Sequence, residues 1–132
     1  MDRGNGFTLI ELTVVLAILA IIAAILIPTF LITTDRARLR GDIQSARIIQ
    51  NAMELYQVER GQSVAGNTVG DKLKNLSDAG YLPQRNIIPQ TQGAVWVYSS
   101  THGVRVKITD SPEGVKKAFE NLSAEERLYV EN

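Results

Sequence analysis

The chain has 132 residues, which is enough for one domain of ordinary size and too few for two. Its 14 basic and 14 acidic side chains cancel, so net charge draws it neither to nucleic acid nor to an anionic surface. Cysteine is absent, which excludes disulfide frameworks, zinc–thiolate sites and cysteine nucleophiles.

The charges are distributed unevenly along the chain. None falls between Leu12 and Ile27, whereas the sequence from Asp35 onward has the mixed charge of a soluble domain. Residues 1–6 are polar and glycine-rich, so we interpret them as a leader. From Phe7 to Ile27 the stretch has about the 20 residues of a membrane-spanning helix, with apolar side chains on all sides. Its polar exceptions are Thr8, Glu11 and Thr13.

A helix break is predicted at Pro28, because proline lacks a backbone donor and clashes with the preceding turn. After Asp35 the pattern becomes that of an amphipathic helix, with Gly61 as its stop. Its apolar stripe is Leu39, Ile43, Ala46, Ile49, Met53 and Tyr56. The charged residues expected on its other faces are Arg36, Arg38, Arg40, Asp42, Arg47, Glu54 and Glu59. A continuous helix from Phe7 to Arg60 would be roughly 80 Å long.

The second half of the chain alternates between turn signals and short periodic segments. Residues 62–70 form a predicted glycine-rich loop, and a short helix follows over 71–79 with Gly80 as its stop. Residues 94–99 and 104–108 alternate apolar and polar side chains around a turn at 100–103, which predicts an antiparallel hairpin.

The C-terminal segment predicts a further helix and leaves one alternative open. Ser111 is the predicted N-cap, with Pro112 at the first helical position. Ser123 and Glu126 fit a capping box, which competes with a short terminal strand at residues 128–130.

Residues 6–12, Gly-Phe-Thr-Leu-Ile-Glu-Leu, closely resemble the processing site of type IV prepilins and type II secretion pseudopilins. The resemblance implies that a prepilin peptidase cuts after Gly6 and that the new N-terminal residue, Phe7, is N-methylated. It also implies an assembly role for Glu11, and it matches a late proline at Pro28. The segment 73–83, with Gly-Tyr-Leu at 80–82, looks like a loop common in that family.

The resemblance and the residue patterns together give an expected architecture. The fold class is α+β: a long N-terminal helix, half membrane anchor and half amphipathic, packs on a small antiparallel sheet with short helices, as a pilin-like lollipop. The expected divisions are a leader at 1–6, a transmembrane and filament-core helix at 7–34, and an amphipathic helix with a globular head at 35–132.

The implied function is that of a structural subunit of a type IV pilus, with a type II secretion pseudopilin or a competence pilin for DNA uptake as the alternative. The implied partners are further copies in a helical filament, prepilin peptidase, the inner-membrane assembly machinery, and the membrane, crossed once before assembly. The precursor would lie in the cytoplasmic membrane with its N-terminus inside and head outside. The assembled filament would be extracellular or periplasmic.

Glu11 requires a physical explanation because a carboxylate inside an apolar helix costs roughly 2.5–3.5 kcal/mol. Cleavage after Gly6 would create an ammonium on Phe7, one helical turn away, and such a pair could stabilise the carboxylate in its own chain or between neighbours. The alternative is that Glu11 reaches the membrane interface. Gly6 suits a cleavage site because a residue without a Cβ can lie extended in a protease cleft.

Other functions have weaker support in the sequence. An ordinary secretory signal has a shorter apolar region. The lone histidine, His102, has no second ligand or general base spaced to join it, and Asp110 with Glu113 is better explained by a turn and a helix start than by a metal pair. We therefore predict no enzyme activity, no cofactor and no metal.

Nucleic acid is a possible partner, but the sequence does not indicate one. The arginines from Arg36 to Arg47 could contact phosphate, although such side chains more often form a solvated or subunit-facing surface. Arginines also follow the apolar segment, a bias that would place the head in the cytoplasm. The family resemblance implies the opposite orientation, which we adopt.

Overall fold

A computed structural model of the chain describes residues 6–83 and 87–132. The predicted leader therefore lies outside the described residues, except for Gly6. In chain order the elements are α1 (Leu9–Arg60), α2 (Val69–Asp78), β1 (Val95–Ser99), β2 (Gly103–Lys107), α3 (Glu113–Glu120), α4 (Ala124–Arg127) and β3 (Val130–Glu131). The chain divides into two compact units, the first ending at Leu31 and the second beginning at Ile32, and α1 contributes to both.

In the N-terminal unit, α1 carries its apolar side chains on every side. By length and composition, α1 is the one helix among the described residues that could cross a membrane, and none of its most apolar stretch is buried. The helix continues through Pro28. The helix break or loosening that we expect at this proline stays a prediction.

In the C-terminal unit, α1 packs through the predicted apolar stripe. Leu39, Ile43, Ala46, Ile49 and Met53 are buried, and Tyr56 is partly buried against the same core. The stripe is thus confirmed, because side chains three and four residues apart share one helical face. Each large apolar side chain buried in this way contributes about 1.5–3 kcal/mol relative to exposure.

The core of this unit forms two clusters, one after the other along α1. The first joins α1 to α2 and to Val104 of β2. The second joins the earlier turns of α1 to β2, α3 and the C-terminal segment, through residues such as Val106 and Val115. Trp96 of β1 packs against both clusters, so this aromatic ring belongs to the core.

The sheet has three strands in the order β1-β2-β3. The predicted antiparallel hairpin is confirmed, with Trp96 opposite Val106. The expectation of an antiparallel sheet is wrong for β3, which pairs parallel to β2 with Val130 opposite Val106. The reason is the crossover through α3 and α4, which brings the chain back in the same direction.

Two helix starts differ from their predicted positions. Helix α2 begins at Val69, two residues early, because the side chain of Thr68 caps it. The N-cap of α3 is Pro112, so the predicted N-cap at Ser111 is wrong. Pro112 has ψ of 160°, which keeps it outside the helix, and Ser111 is instead buried with its N–H donated to Ile108.

The two alternatives for the C-terminal segment coexist. Ser123 and Glu126 form the predicted capping box at the start of α4, and β3 begins after two further residues, so it shares only Val130 with the strand predicted at 128–130. Both fit because α4 is a single turn of four residues.

Candidate processing and assembly site

The start of α1 is closed by a capping box between Thr8 and Glu11. The backbone N–H and the hydroxyl of Thr8 both donate to Oε2 of Glu11 at 2.9 Å, and the N–H of Glu11 donates to the Thr8 hydroxyl at 3.3 Å. This arrangement satisfies donors that a helix start leaves unpaired, and the carboxylate sits at the positive end of the helix dipole. The box was not predicted, although Thr-x-x-Glu before an apolar run is its usual sequence signal.

The predicted cleavage site lies immediately before this cap. Gly6 and Phe7 precede the helix, and the Phe7 side chain is 80% exposed. A Cβ built on Gly6 meets no atom of the described residues within 4 Å. The described chain therefore has no packing requirement for glycine at this position.

The helix that follows exposes an unusually large number of apolar side chains. Fifteen of its side chains before Ile32, from Leu9 to Leu31, are large, apolar and at least 44% exposed. Apolar surface on this scale calls for a lipid bilayer or for other protein chains around it. Glu11 is the acidic residue in the first turn of this helix, so its charge lies at the edge of the apolar surface.

The segment with Gly-Tyr-Leu at 80–82 secures the end of α1 to α2. Gly80 ends α2 with φ of 85°, and the Tyr81 N–H donates to the Leu76 carbonyl at 2.9 Å. The Tyr81 ring packs edge-on against Tyr56, and its hydroxyl donates to Glu59. This segment is therefore structural within the C-terminal unit.

Three of the arginines considered for phosphate contact are engaged within the chain. Arg36 donates to the carbonyl of Asn121 at 3.1 Å, Arg40 pairs with Glu126 at 2.9 Å, and Arg47 pairs with Glu125 at 2.8 Å. We call Arg36, Arg40 and Arg47 the arginine row. Its charges are largely matched by the C-terminal segment, which weakens the interpretation as a phosphate-binding face.

His102 and the other candidate metal ligands do not form a metal site in the described part of the chain. His102 lies exposed in the hairpin turn, where its N–H donates to the hydroxyl of Ser99. Among the described residues there is no group of three or more histidine, cysteine, aspartate or glutamate side chains that could hold a metal ion.

Asp42 is the polar residue that sequence reasoning placed wrongly. It was expected on a solvated face of α1, but it is 1% exposed and accepts backbone N–H groups from Gln90 at 2.7 Å and Thr91 at 2.8 Å. Its partners lie almost fifty residues away in sequence, so no local pattern indicated its burial.

Comparison with known proteins matches both parts of the chain. The family model described as the prokaryotic N-terminal methylation motif matches residues 1–27. Type II secretion system core protein G of Pseudomonas aeruginosa is 30% identical over 120 residues, covering 74% of this chain and 82% of that protein. Prepilin peptidase-dependent protein A of Clostridium perfringens is 43% identical over 58 residues, and the type IV wide pilus major component PilA4 of Thermus thermophilus 42% over 62 residues.

The two shorter matches cover 44% and 45% of this chain, and 41% and 45% of those relatives, so the chain spans less than half the length of either. No solved structure matches the chain. The methylation motif and the long match to protein G show that the chain belongs to the family of type IV pilins and type II secretion pseudopilins. This family is structural, and its membership implies processing by prepilin peptidase and assembly into filaments.

Proposed function

We propose that the chain is a structural subunit of a type IV pilus and has no catalytic activity. Its leader at 1–6 directs processing between Gly6 and Phe7, and Phe7 is then N-methylated. The helix at 7–34 anchors the precursor in the membrane and later forms the filament core. The part at 35–132 forms the outer surface of the filament.

The observation that carries this proposal is the first turn of α1. A carboxylate stands at the start of a helix whose apolar side chains are exposed on all sides. A helix of this kind can move from lipid into a bundle of identical helices without exposing its apolar surface to water. Apolar packing then supplies the attraction between subunits.

Glu11 sets the axial position of one subunit's helix relative to its neighbour in this packing. Processing creates an ammonium on Phe7, and an ammonium in a water-poor core needs a counter-charge because an unpaired charge there is strongly penalised. Oε2 of Glu11 accepts the hydrogen bonds from both Thr8 donors. The other carboxylate oxygen can therefore accept a hydrogen bond from the Phe7 ammonium of its own chain or of a neighbouring subunit. Axial positions that lack this pairing are disfavoured.

A pseudopilus subunit is the second candidate, and one specific observation favours it. The match to protein G covers 74% of the chain, whereas the Thermus pilin and Clostridium matches cover less than half of it. A DNA-uptake filament has less support, because the arginine row is occupied within the chain.

The deciding experiment is the mass of the N-terminal peptide from cells making this protein. We expect a peptide beginning with N-methylated Phe7 in filaments sheared from the cell surface, which indicates a pilus subunit. The same peptide found only in membranes would indicate a pseudopilin. A peptide beginning at Met1 in every fraction would contradict processing altogether.

Gly6→Leu provides the matched test of the cleavage site. A Cβ at this position meets no atom of the described chain, so the variant is expected to fold and insert normally while keeping its leader. Gly41→Ala, at another glycine whose added Cβ meets nothing, is the control and should be processed. Normal mature mass for Gly6→Leu would contradict the assigned site.

The orientation is part of the proposal and has its own test. Protease added to intact spheroplasts should remove the head if it lies outside the membrane. Protection of the head until the membrane is opened would instead support the arrangement favoured by the arginines after the apolar segment.

A further inference from the structure

The C-terminal segment has little structure of its own. We define the C-terminal strap as residues 121–131, which contain the four-residue helix α4 and the two-residue strand β3. Neither a single helical turn nor a two-residue strand is stable in isolation. Leu122 and Val130 are its buried apolar anchors, while Leu128 is 66% exposed. The folded conformation of the strap therefore depends on its contacts with the rest of the C-terminal unit.

One attachment is the arginine row of α1. The row lies on one helical face because its members are spaced by four and seven residues. It holds the strap at the Asn121 carbonyl, at Glu125 and at Glu126, and Arg47 also lies 4.9 Å above the centre of the Tyr129 ring. These contacts are distributed along nearly the whole strap.

Each ion pair of this attachment is open to solvent on the side of one partner. The side chain of Arg40 is 48% exposed against 21% for Glu126, and that of Glu125 is 73% exposed against 32% for Arg47. Exposed pairs of this kind contribute between about 0 and 1 kcal/mol each, and dissolved salt screens them over about 3 to 10 Å. The arginine attachment is therefore weak and sensitive to ionic strength.

The second attachment is the free edge of β2. The N–H groups of Val106 and Ile108 donate to the carbonyls of Tyr129 and Glu131, at 2.9 and 2.8 Å. The opposite edge of β2 is paired along its length with β1. Release of the strap would expose these two N–H groups and leave the hairpin paired.

We propose that the C-terminal strap is an electrostatic clasp that opens from α1 and β2 as one unit while the rest of the C-terminal unit stays folded. Segments with few buried apolar contacts and exposed fastenings open at lower free energy than the core. In the closed state the arginine row is matched by acceptors of the strap. In the open state the arginine row loses its strap acceptors, Arg105 and Lys107 lose Glu131, and one edge of β2 faces solvent. Ionic strength therefore controls how much of this face is exposed.

Amide hydrogen exchange on the full chain in non-ionic detergent tests the proposal. The amides of Val106 and Ile108 report strap opening, because their acceptors belong to the strap, and the amide of Ile49 in the buried part of α1 reports the core. We expect the two β2 amides to exchange faster than Ile49 at low salt. At high salt we expect a further acceleration of about fivefold, with no change at Ile49.

Glu126→Gln isolates the electrostatic part. Glutamine can replace glutamate in a capping box, so the start of α4 is kept while the charge pair with Arg40 is lost. We expect this variant to open more at low salt and to respond less to added salt. Glu120→Gln, which removes an exposed carboxylate outside the strap, is the control and should behave like the unmodified chain.

Two results would overturn the proposal. Equal exchange at Val106, Ile108 and Ile49 would mean that the strap opens only when the whole unit unfolds. Faster exchange at the β2 amides that is independent of salt, and unchanged in Glu126→Gln, would mean that the strap opens but that charge does not hold it.

Discussion

The carboxylate of Asp42 accepts the backbone N–H of Thr91 at 2.8 Å, although the two residues are separated by 49 positions in the sequence. The other carboxylate oxygen accepts the N–H of Gln90. A single buried side chain of α1 thus fixes the segment that leads into β1. Such a carboxylate is stable inside a core only because both of its oxygens have donors.

Asp42→Ala is expected to lower the free energy of unfolding by about 3 kcal/mol, because the buried N–H of Thr91 and the part-buried N–H of Gln90 lose their acceptor. Chemical denaturation in non-ionic detergent, followed by the fluorescence of Trp96, the single tryptophan, measures the change. Asp42→Asn should be intermediate, since an amide presents one acceptor oxygen. Asp110→Ala, at an exposed carboxylate, should change the free energy by less than about 0.5 kcal/mol. Equal effects of the two alanine variants would contradict the role of Asp42.

Gly103→Ala is expected to destabilise the chain more than Gly61→Ala. Both glycines have φ close to 70°, which costs a side chain about 1–2 kcal/mol. A Cβ on Gly103 would also approach Gln50, whose Oε1 accepts the Val104 N–H at 3.2 Å, whereas a Cβ on Gly61 meets nothing within 4 Å. The difference between the two unfolding free energies measures this close approach. Equal losses would show that Gln50 moves aside without cost.

Asp71 is expected to make the stability of α2 dependent on pH. The hydroxyl and then the backbone N–H of Thr68 donate to this carboxylate and hold its pKa below its ordinary value of 3.8. Because the folded pKa is the lower one, the stabilisation is complete above 3.8 and is lost as pH falls through the folded pKa. An NMR titration of the Asp71 carboxyl should show the depressed value, and Thr68→Val should raise it. An unchanged pKa in Thr68→Val would contradict this cause.

Glu11→Gln separates the two roles of Glu11. Glutamine can still accept the Thr8 donors and close the helix start, but it brings no charge to meet the ammonium on Phe7. We expect processed protein in the membrane and filament yield reduced by about tenfold or more, similar to Glu11→Ala. Glu54→Gln, outside the apolar segment, is the control. Normal yield from Glu11→Gln with scarce filaments from Glu11→Ala would assign Glu11 a capping role only.

The features that could be predicted from the sequence are those set by local periodicity. The apolar stripe of α1 follows from spacings of three and four, and the hairpin follows from alternation on both sides of a short turn. The parallel pairing of β3 could not be predicted from local periodicity. It depends on where two short helices bring the chain back, and a two-residue strand has almost no periodicity of its own.

The candidate site divides along a similar line. The residues around Gly6 and Glu11 stand in a compact motif, whereas the cap at Thr8 was overlooked even though its signal is local. The burial of Asp42 could not be predicted from local sequence, because a carboxylate is buried or exposed according to donors supplied by remote residues. Ser111 illustrates the opposite error, since a serine before proline suggests a cap but here lies in the core.

The polar contacts of α1 in the C-terminal unit also bear on the order of folding. Asp42, Gln50 and Arg47 bind partners that follow them by 48 to 78 residues. Closing loops of this length is slow compared with forming the helix, so α1 can be complete long before its partners are available. Since α1 also precedes the head in synthesis, the helix should act as the template on which the head condenses late and in one cooperative step. A head released without residues 32–60 would lack that template, and we expect it to remain unfolded.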